Sequence, residues 1–306
     1  MISVNNTMTT LSSLRKGARL SLMIAATLGA GLLPASADII LADNFDYTVG
    51  QSLAGANGGT GWSNAWNVNG TGASADIGDQ AFSAPSGYGL SVSKYVAINA
   101  TTASASINRG MSSSINLGSS NTYYFSLLFS RVDSDPSSSS ETMTFLSLRN
   151  SSNQELIYFG TGSNESLALA AREAATGGSA VTANSVGSIF STGTSFANAP
   201  QYLIIGKIVV NASGSDEFSM SIVAASDSVG ATEPTTWDVS ISADTTGIIE
   251  SLYMGVATNA ENANYTNLMI GTDYVSVIPE ANSSGLVVLA LLVLFGFRKS
   301  LRGRQG

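Results

Sequence analysis

The chain is 306 residues long, with 44% hydrophobic and 11% charged residues, and it contains neither cysteine nor histidine. These two absences exclude a disulfide framework, a thiol nucleophile, Ser-His-Asp catalysis, and metal sites built from thiolate or imidazole ligands. Between Asp38 and Ile278 there are 6 basic and 20 acidic residues, a net charge of −14, which excludes nucleic acid as a partner and disfavours an anionic membrane surface.

The N-terminal segment RKGARLSLMIAATLGAGLLPASA (residues 15–37) has the three parts of a secretory signal peptide. Basic residues at positions 15, 16 and 19 precede an apolar stretch over residues 20–33. A proline then ends the stretch, and the small residues Ala35 and Ala37 fit a signal peptidase site, which predicts a mature chain that begins at Asp38. The alternative is an amphipathic or buried first helix. The order of the three features favours a signal helix and export across the cytoplasmic membrane.

The next segment, LADNFDYTVGQSLAGANGGTGWSNAWN (residues 41–67), contains candidates for two kinds of site. Trp62 and Trp66 each offer a flat apolar ring on which a sugar stacks, and the alternative is that both pack on the protein or brace the loop. Asp43, Asn44 and Asp46 offer hard oxygen ligands beside a glycine-rich loop, as calcium requires. The alternative is that they are surface residues that promote solubility. No other cofactor is predicted.

From residue 38 to 278 the apolar residues alternate with polar ones or form short runs between turn-rich stretches, which is typical of strands in an antiparallel sandwich. We predict one all-β domain over residues 38–278. A helical turn is the alternative for residues 166–173, and residues 133–140 and 176–200 are predicted loops. The predicted strands cover residues 88–98, 122–132, 142–149, 155–160, 166–173, 202–210, 217–225, 237–242, 248–257 and 267–277.

The acidic residues do not form a catalytic pattern. Sandwich glycoside hydrolases place two carboxylates on one face of a strand, and no E-x-D-x-x-E pattern occurs here. Asp216 and Glu217 are adjacent, so on a strand they would face opposite sides, and we place them in a solvated polar turn. The basic residues of this part of the chain are isolated from one another, and no catalytic residue is predicted. They are Lys94, Arg109, Arg131, Arg149, Arg172 and Lys207.

Four blocks of this region, in this order, resemble the LamG-like, concanavalin A-like domains of exported bacterial proteins. The first is residues 41–67, with its W-x-x-x-W segment, and the second is TYYFSLLFSRV (residues 122–132). The third is YLIIGKIVVNASGSDEFSMSIV (residues 202–223), and the fourth is NLMIGTDYVSVIPE (residues 267–280). The resemblance implies a two-sheet antiparallel jelly-roll sandwich. It does not imply one activity, because this fold hosts lectins, hydrolases and adhesion modules.

The C-terminal segment predicts a short membrane helix over residues 283–297, followed by basic residues that stop transfer: Arg298, Lys299, Arg302 and Arg304. The uncharged stretch over residues 282–297, sixteen residues long, would span about 24 Å as a helix, against about 30 Å of hydrocarbon, so it is short for a durable anchor. Thinning of the bilayer and snorkelling basic side chains would close that gap. The alternative is a buried core helix, which the four following basic residues disfavour.

Together with the preceding Pro279 and Glu280, this tail resembles the PEP-CTERM sorting signal. In that family a Pro-Glu-Pro motif precedes a short membrane helix and a basic end, and an exosortase, a membrane-embedded transpeptidase, processes the signal during export to an exopolysaccharide-rich surface. The chain departs from the pattern at Ala281, where the family usually has its second proline. The resemblance implies an exosortase-type partner and transient or permanent membrane attachment.

The sequence therefore predicts a non-catalytic protein of the cell surface or extracellular matrix, with exopolysaccharide as a candidate partner. Two alternatives stay open. One is a carbohydrate-active hydrolase or lyase on the same fold, and the other is a structural protein that stays anchored in the inner membrane.

We expect the mature protein to begin at Asp38 and to lose the residues beyond about Glu280. Intact-mass measurement of protein extracted from the cell surface checks both ends at once. A mature species that still carries residues 298–304 would contradict sorting and favour permanent anchoring.

Overall fold

The computed structural model describes residues 38–90, 92–100, 104–133, 142–162, 166–173, 180–184, 195–257 and 261–279. It is all-β, with fifteen strands and one helical turn in these ranges, and every strand pair is antiparallel. The elements are β1 (Ile39–Asp43), β2 (Asn67–Asn69), β3 (Ser74–Gly78), β4 (Tyr95–Asn99), β5 (Ala105–Asn116), β6 (Asn121–Asp133), β7 (Thr142–Arg149), β8 (Glu155–Thr161), β9 (Leu167–Arg172), β10 (Ala180–Asn184), β11 (Gln201–Val210), β12 (Asp216–Ala224), β13 (Val239–Ala243), β14 (Ile248–Ala257), β15 (Glu261–Gly271) and α1 (Tyr274–Val277).

The strands form two sheets that pack face to face. An eight-stranded sheet runs in the order β13-β12-β11-β6-β15-β4-β3, with β1 also paired to β15, and a seven-stranded sheet runs β10-β9-β8-β7-β14-β5-β2. Strand β15 pairs with β4 along its first half and with β1 along its second, on either side of a bulge at Asn267, whose φ is +57°. The predicted two-sheet antiparallel sandwich is confirmed.

The main core lies between the sheets and is rich in aromatic and branched side chains. Phe125 of β6 meets Phe159 of β8 edge to face, with ring centroids 4.7 Å apart, so the contact joins the two sheets. Phe129 meets Phe145 in the same way at 4.8 Å. Such pairs contribute beyond the area that they bury.

The outer faces of the two sheets differ. Strand β11 is apolar on both sides, since Ile204 faces the main core while Leu203 and Ile205 belong to a second apolar cluster outside the eight-stranded sheet. That second cluster includes Phe82, Tyr88, Val92, Val229, Tyr274, Val277 and Ile278, which come from the segments that cover this face. In strand β14 the side chains alternate, with Leu252 and Met254 in the core and Ser251 and Tyr253 on the outside. A strand that alternates has one solvated face.

Most predicted strands lie where they were expected, and β7 and β14 have the predicted bounds. The helical alternative for residues 166–173 is wrong, because this segment contains β9. Residues 180–184 were predicted as part of a loop and form β10 at a sheet edge. Residues 88–98 contain a strand only from Tyr95, and β5, rich in serine and asparagine, was not predicted at all.

Two further expectations are corrected near turns. Asp216 does not lie in a solvated turn: it is buried at the start of β12, where it accepts hydrogen bonds from the amides of Asn211 (2.8 Å) and Thr245 (3.1 Å). Burial raises the pKa of its carboxyl group. The strand predicted over residues 267–277 does not continue to its predicted end. Strand β15 ends at Gly271, and the helical turn α1 follows, capped by Asp273, whose side chain accepts a hydrogen bond from the amide of Val275.

The signal segment and the C-terminal tail lie outside the described residues, apart from Asp38 and Pro279. The predicted sorting residues Glu280 and Ala281, the membrane helix and the basic residues that follow it are therefore still predictions. Among the residues that are described, no helix is long and apolar enough to cross a membrane.

Candidate functional site

The two tryptophans predicted to contact glycans lie side by side near the N-terminal strand, with ring centroids 5.0 Å apart. Trp66 is fully buried, so its ring has no face available to a sugar and that prediction is wrong for it. Trp62 is partly buried, and its indole nitrogen donates to the carbonyl of Ala42 at 3.2 Å. The guanidinium of Arg109 stands over both rings, at 4.8 and 5.5 Å from their centroids. The alternative, that these rings pack on the protein, is confirmed for Trp66.

Asp43 is a buried hydrogen-bond acceptor at the centre of this cluster. One carboxylate oxygen accepts from the amide of Phe45 at 2.8 Å. The other accepts from the hydroxyl of Tyr47 (2.6 Å), the indole of Trp66 (2.9 Å) and the guanidinium of Arg109 (3.2 Å). Burial and the bond to Asp43 raise the pKa of Tyr47 to about 12, so its proton stays in place. Protein donors contact both oxygens of Asp43 and would compete with a calcium ion for them.

The other two calcium candidates also bind within the protein. The side-chain oxygen of Asn44 accepts from the amide of Asp46, and Asp46 forms an ion pair with Lys94 at 2.5 Å. A cation in this position competes with calcium for the carboxylate. Throughout the described ranges, no group of three or more acidic side chains is placed to hold a metal ion.

Arg109, which the sequence suggested was an isolated basic residue, is buried on the core side of β5. Its guanidinium donates to the carbonyls of Gly58 (2.8 Å) and Asn64 (2.5 Å) and to the side chain of Asn57 (2.5 Å). It thereby fastens the glycine-rich loop to the sandwich. The sequence of β5 does indicate that Arg109 faces inward. Ala105, Ile107, Arg109 and Met111 occupy every second position and therefore lie on the same face of the strand. The centre of this cluster, made of Asp43, Trp66 and Arg109, is buried.

The outer face of the seven-stranded sheet is different, because mostly polar side chains form rows that cross the strands, and all members of the central row except the buried Ser147 are at least partly exposed. The central row is set by strand register and runs from β2 to β10 through the middle of the sheet; its members are Asn67, Asn108, Tyr253, Ser147, Tyr158, Ala170 and Thr182. With strands about 4.8 Å apart, seven strands make a row about 29 Å long. We call this surface the open face.

A second row, next to the central one, has small side chains at its middle. Its members are Asn69, Ser106, Gly255, Thr144, Gly160, Ala168 and Asn184. A recess of about 260 Å³ opens at this point, and Gly255, Ser106, Thr144, Tyr253 and Arg149 line it. Neither row contains a carboxylate.

Arg149 and Tyr253 form the polar wall of this recess. The guanidinium of Arg149 lies 4.1 Å from the centroid of the Tyr253 ring, which covers one side of it. The same guanidinium donates to Ser147 at 3.0 Å and stands 3.6 Å from the carboxylate of Glu155, and Ser147 donates to Glu155 at 2.6 Å. The charge of Arg149 is thus balanced locally, and the ring is held in one orientation.

Tyr158, on the other side of Ser147, is fixed to the sheet. Its hydroxyl bonds to the carbonyls of Met143 (2.9 Å) and Thr161 (3.0 Å), and its ring occupies the space beside Gly160. Burial raises the pKa of Tyr158 well above its ordinary value of 10. The open face therefore offers one partly exposed ring in a prepared recess, amides at Asn69 and Asn108 that bond to each other at 2.5 Å, and several hydroxyls.

Replacing Asp43 with asparagine should strongly destabilise the protein, because it leaves the charge of Arg109 buried without its counterion. Breaking a buried ion pair in this way costs about 3–5 kcal/mol, and the urea midpoint measures the loss. Lys94→Gln is the matched control, because it breaks the ion pair to Asp46, whose side chain is 66% exposed, and exposed pairs contribute about 0–1 kcal/mol. Equal losses in the two variants would contradict a structural role for Asp43.

No protein-family model matches the chain, and no curated protein matches it. Solved structures resemble it in architecture. The endo-β-1,4-glucuronan lyase of the fungus Trichoderma reesei has a TM-score of 0.46 and 10% identity over 74% of this chain and 96% of the lyase. The globular domain of T. cruzi calreticulin has a TM-score of 0.43 and 9% identity over 79% of this chain and 90% of its own. The binding domain of botulinum neurotoxin serotype D has a TM-score of 0.42 and 11% identity over 77% of this chain and 48% of its own. At these identities and scores the likeness extends to neither ligand nor activity.

Proposed function

We propose that this chain is a non-catalytic exported protein of the bacterial cell surface or extracellular matrix, with a jelly-roll sandwich of the concanavalin A-like class that binds polysaccharide on its open face. The observation that carries the proposal is the recess beside Tyr253, lined by Ser106, Thr144 and Arg149. It combines an aromatic ring with side chains that both donate and accept hydrogen bonds, which suits the apolar face and the hydroxyls of a sugar.

The shape of the open face supports a polymer over a small ligand. The central row crosses all seven strands, so side chains on both sides of the recess stand along one line about 29 Å long. A chain of sugars lying across the strands would meet Asn67 and Asn108 at one end and Thr182 at the other. A compact cofactor would use only the recess, which is small for one at about 260 Å³.

Local charge supports a neutral sugar at the recess. Arg149 lines the recess, and its charge is balanced by the carboxylate of Glu155, while Ser147 accepts a hydrogen bond from it. The region from Asp38 to Ile278 has a net charge of −14, which disfavours a strongly anionic partner. Hydrogen bonding to hydroxyls and contact with the ring of Tyr253 are then the main attractions.

Export and sorting are part of the proposal and are supported by the two ends of the sequence. The signal-like segment before Asp38 provides translocation. Pro279 and Glu280, the short apolar segment and the four basic residues after it provide the features that an exosortase-type transpeptidase acts on. Such a protein passes through the membrane, or stays attached to it, with its sandwich on the outer side.

A carbohydrate-active enzyme on the same fold is the alternative from another class. A glycoside hydrolase needs two carboxylates about 5–10 Å apart at the bound sugar. The rows that flank the recess contain none, and Glu155 bonds to Ser147 and Arg149. Incubation with each bound polysaccharide, followed by measurement of new reducing ends and unsaturated products, separates the two. Turnover would contradict the non-catalytic proposal.

Tyr253→Ala should weaken polysaccharide binding at least about tenfold, because removing an aromatic anchor from a prepared pocket typically costs about 2 kcal/mol or more. A glycan array with the full chain identifies the polysaccharide, and calorimetric titration then gives the Kd of each variant. Tyr253→Phe, which keeps the ring under Arg149, should lose much less.

Ile248→Ala is the matched control, since Ile248 is exposed on the same strand and lies outside the recess. Folding of each variant is checked by its urea midpoint. A folded Tyr253→Ala variant that binds every array polysaccharide with unchanged Kd would contradict the open face as the binding surface.

A further inference from the structure

One corner of the eight-stranded sheet is not covered by the second apolar cluster. There a recess of about 380 Å³ opens over β11, β12 and β13 on the outer face. Its polar and aromatic lining consists of Lys207, Glu217, Ser219, Trp237, Ser240 and Ser242. This is the side of the sandwich opposite to the open face, so it is a separate site.

Strand register explains why this corner is hollow. Lys207, Ser219 and Ser240 stand opposite one another on three neighbouring strands, and Glu217 stands opposite Ser242. Further along β11, the apolar side chains of Leu203 and Ile205 pack against the covering segments. This end of the sheet has mostly short hydroxyl side chains instead. The hydroxyls of Ser219 and Ser240 lie 2.9 Å apart and bond to each other, which orients them at the floor of the recess.

The indole of Trp237 forms one wall and is held in place. It is partly buried and packs against the second apolar cluster, while it also lines the recess. The next residue, Asp238, fixes the backbone: its carboxylate accepts from the amide of Ile222 at 2.9 Å, and its own amide donates to Ser221 at 3.2 Å. A ring already fixed before binding loses little entropy when a ligand stacks on it.

Lys207 belongs to a balanced cluster at the other wall. Its ammonium pairs with Glu233 at 2.5 Å and lies 5.8 Å from the ring centroid of Tyr124, whose hydroxyl donates to Glu233 at 2.6 Å. Partial burial acts to raise the pKa of Glu233, but the hydrogen bonds from Lys207 and Tyr124 prevail and lower it. The cation of the recess is thus already paired, and Glu217 adds an exposed negative charge.

We propose that this recess is a second carbohydrate site, which takes one uncharged sugar ring stacked on Trp237 with its hydroxyls bonded to the serines and to Glu217. Serine hydroxyls donate and accept, Glu217 accepts, and the indole provides a flat apolar face. A purely apolar ligand would desolvate the carboxylate of Glu217 without offering it a hydrogen bond, at a cost in free energy. An anionic ligand would meet Glu217 and an ammonium that Glu233 already neutralises.

The proposal does not depend on the open face, and the test treats the sites separately. The full chain is titrated by calorimetry with cellotetraose, mannotetraose and, for comparison, an alginate tetramer. We expect saturable binding of at least one neutral tetrasaccharide and no tighter binding of the acidic one. Trp237→Ala should weaken the neutral ligand at least tenfold, and so should Ser242→Gln, which fills the recess from an exposed edge-strand position and leaves the tryptophan intact.

Ile248→Ala is again the control and should leave the Kd unchanged, while Tyr253→Ala is titrated alongside. The second site is overturned if no neutral tetrasaccharide binds saturably, or if folded Trp237→Ala and Ser242→Gln variants both keep the original Kd. Binding lost in Tyr253→Ala and kept in the other two would assign the sugar to the open face, which supports the proposed function and overturns the second site. If Trp237→Ala does not fold, Ser242→Gln decides.

Discussion

The buried ion pair between Asp43 and Arg109 is the interaction on which much of this sandwich depends. Asp43 ends the first strand of one sheet and Arg109 lies within a strand of the other, so their contact at 3.2 Å joins the layers near the place where the chain enters the fold. Both are about 1% exposed, and a charge this deep is tolerated because each group has further hydrogen-bond partners. The pair also contacts both tryptophans and the glycine-rich loop, and the burial of Trp66 in this cluster leaves its ring no face for a sugar.

The second organising feature is the difference between the outer faces. Covering segments bury most of one face, whereas the strands of the other alternate and leave hydroxyl, amide and ring groups in register. One recess lies in a polar row beside Gly255 and Tyr253, and another lies over short serines at the edge of the covered sheet beside Trp237. In both, small side chains stand next to an aromatic ring.

Sequence patterns were sufficient for the all-β class and for strands such as β7 and β14, because alternation and branched residues report burial directly. They failed for β5, whose serine- and asparagine-rich run has low strand propensity and is held in the sheet by β2 and β14 on its two sides. The open face could be anticipated from the alternation of β14. The rows could not, because cross-strand alignment depends on bulges, such as those of β14 and β7, that local sequence does not reveal. Arg109 shows the same limit: alternation marks it as inward, but only the fold brings Asp43 to it.

The helical turn α1 determines where the chain leaves the sandwich. Val277 and Ile278 are buried on the covered face, the carbonyl of Val277 accepts from Ser126 at 2.5 Å, and that of Pro279 accepts from Gly89 at 2.5 Å. Tension applied beyond Pro279 would therefore act first on these two hydrogen bonds, before it reaches the hydrogen bonds of β15. Because these contacts lie on the covered face, the chain leaves the sandwich on the side opposite to the open face.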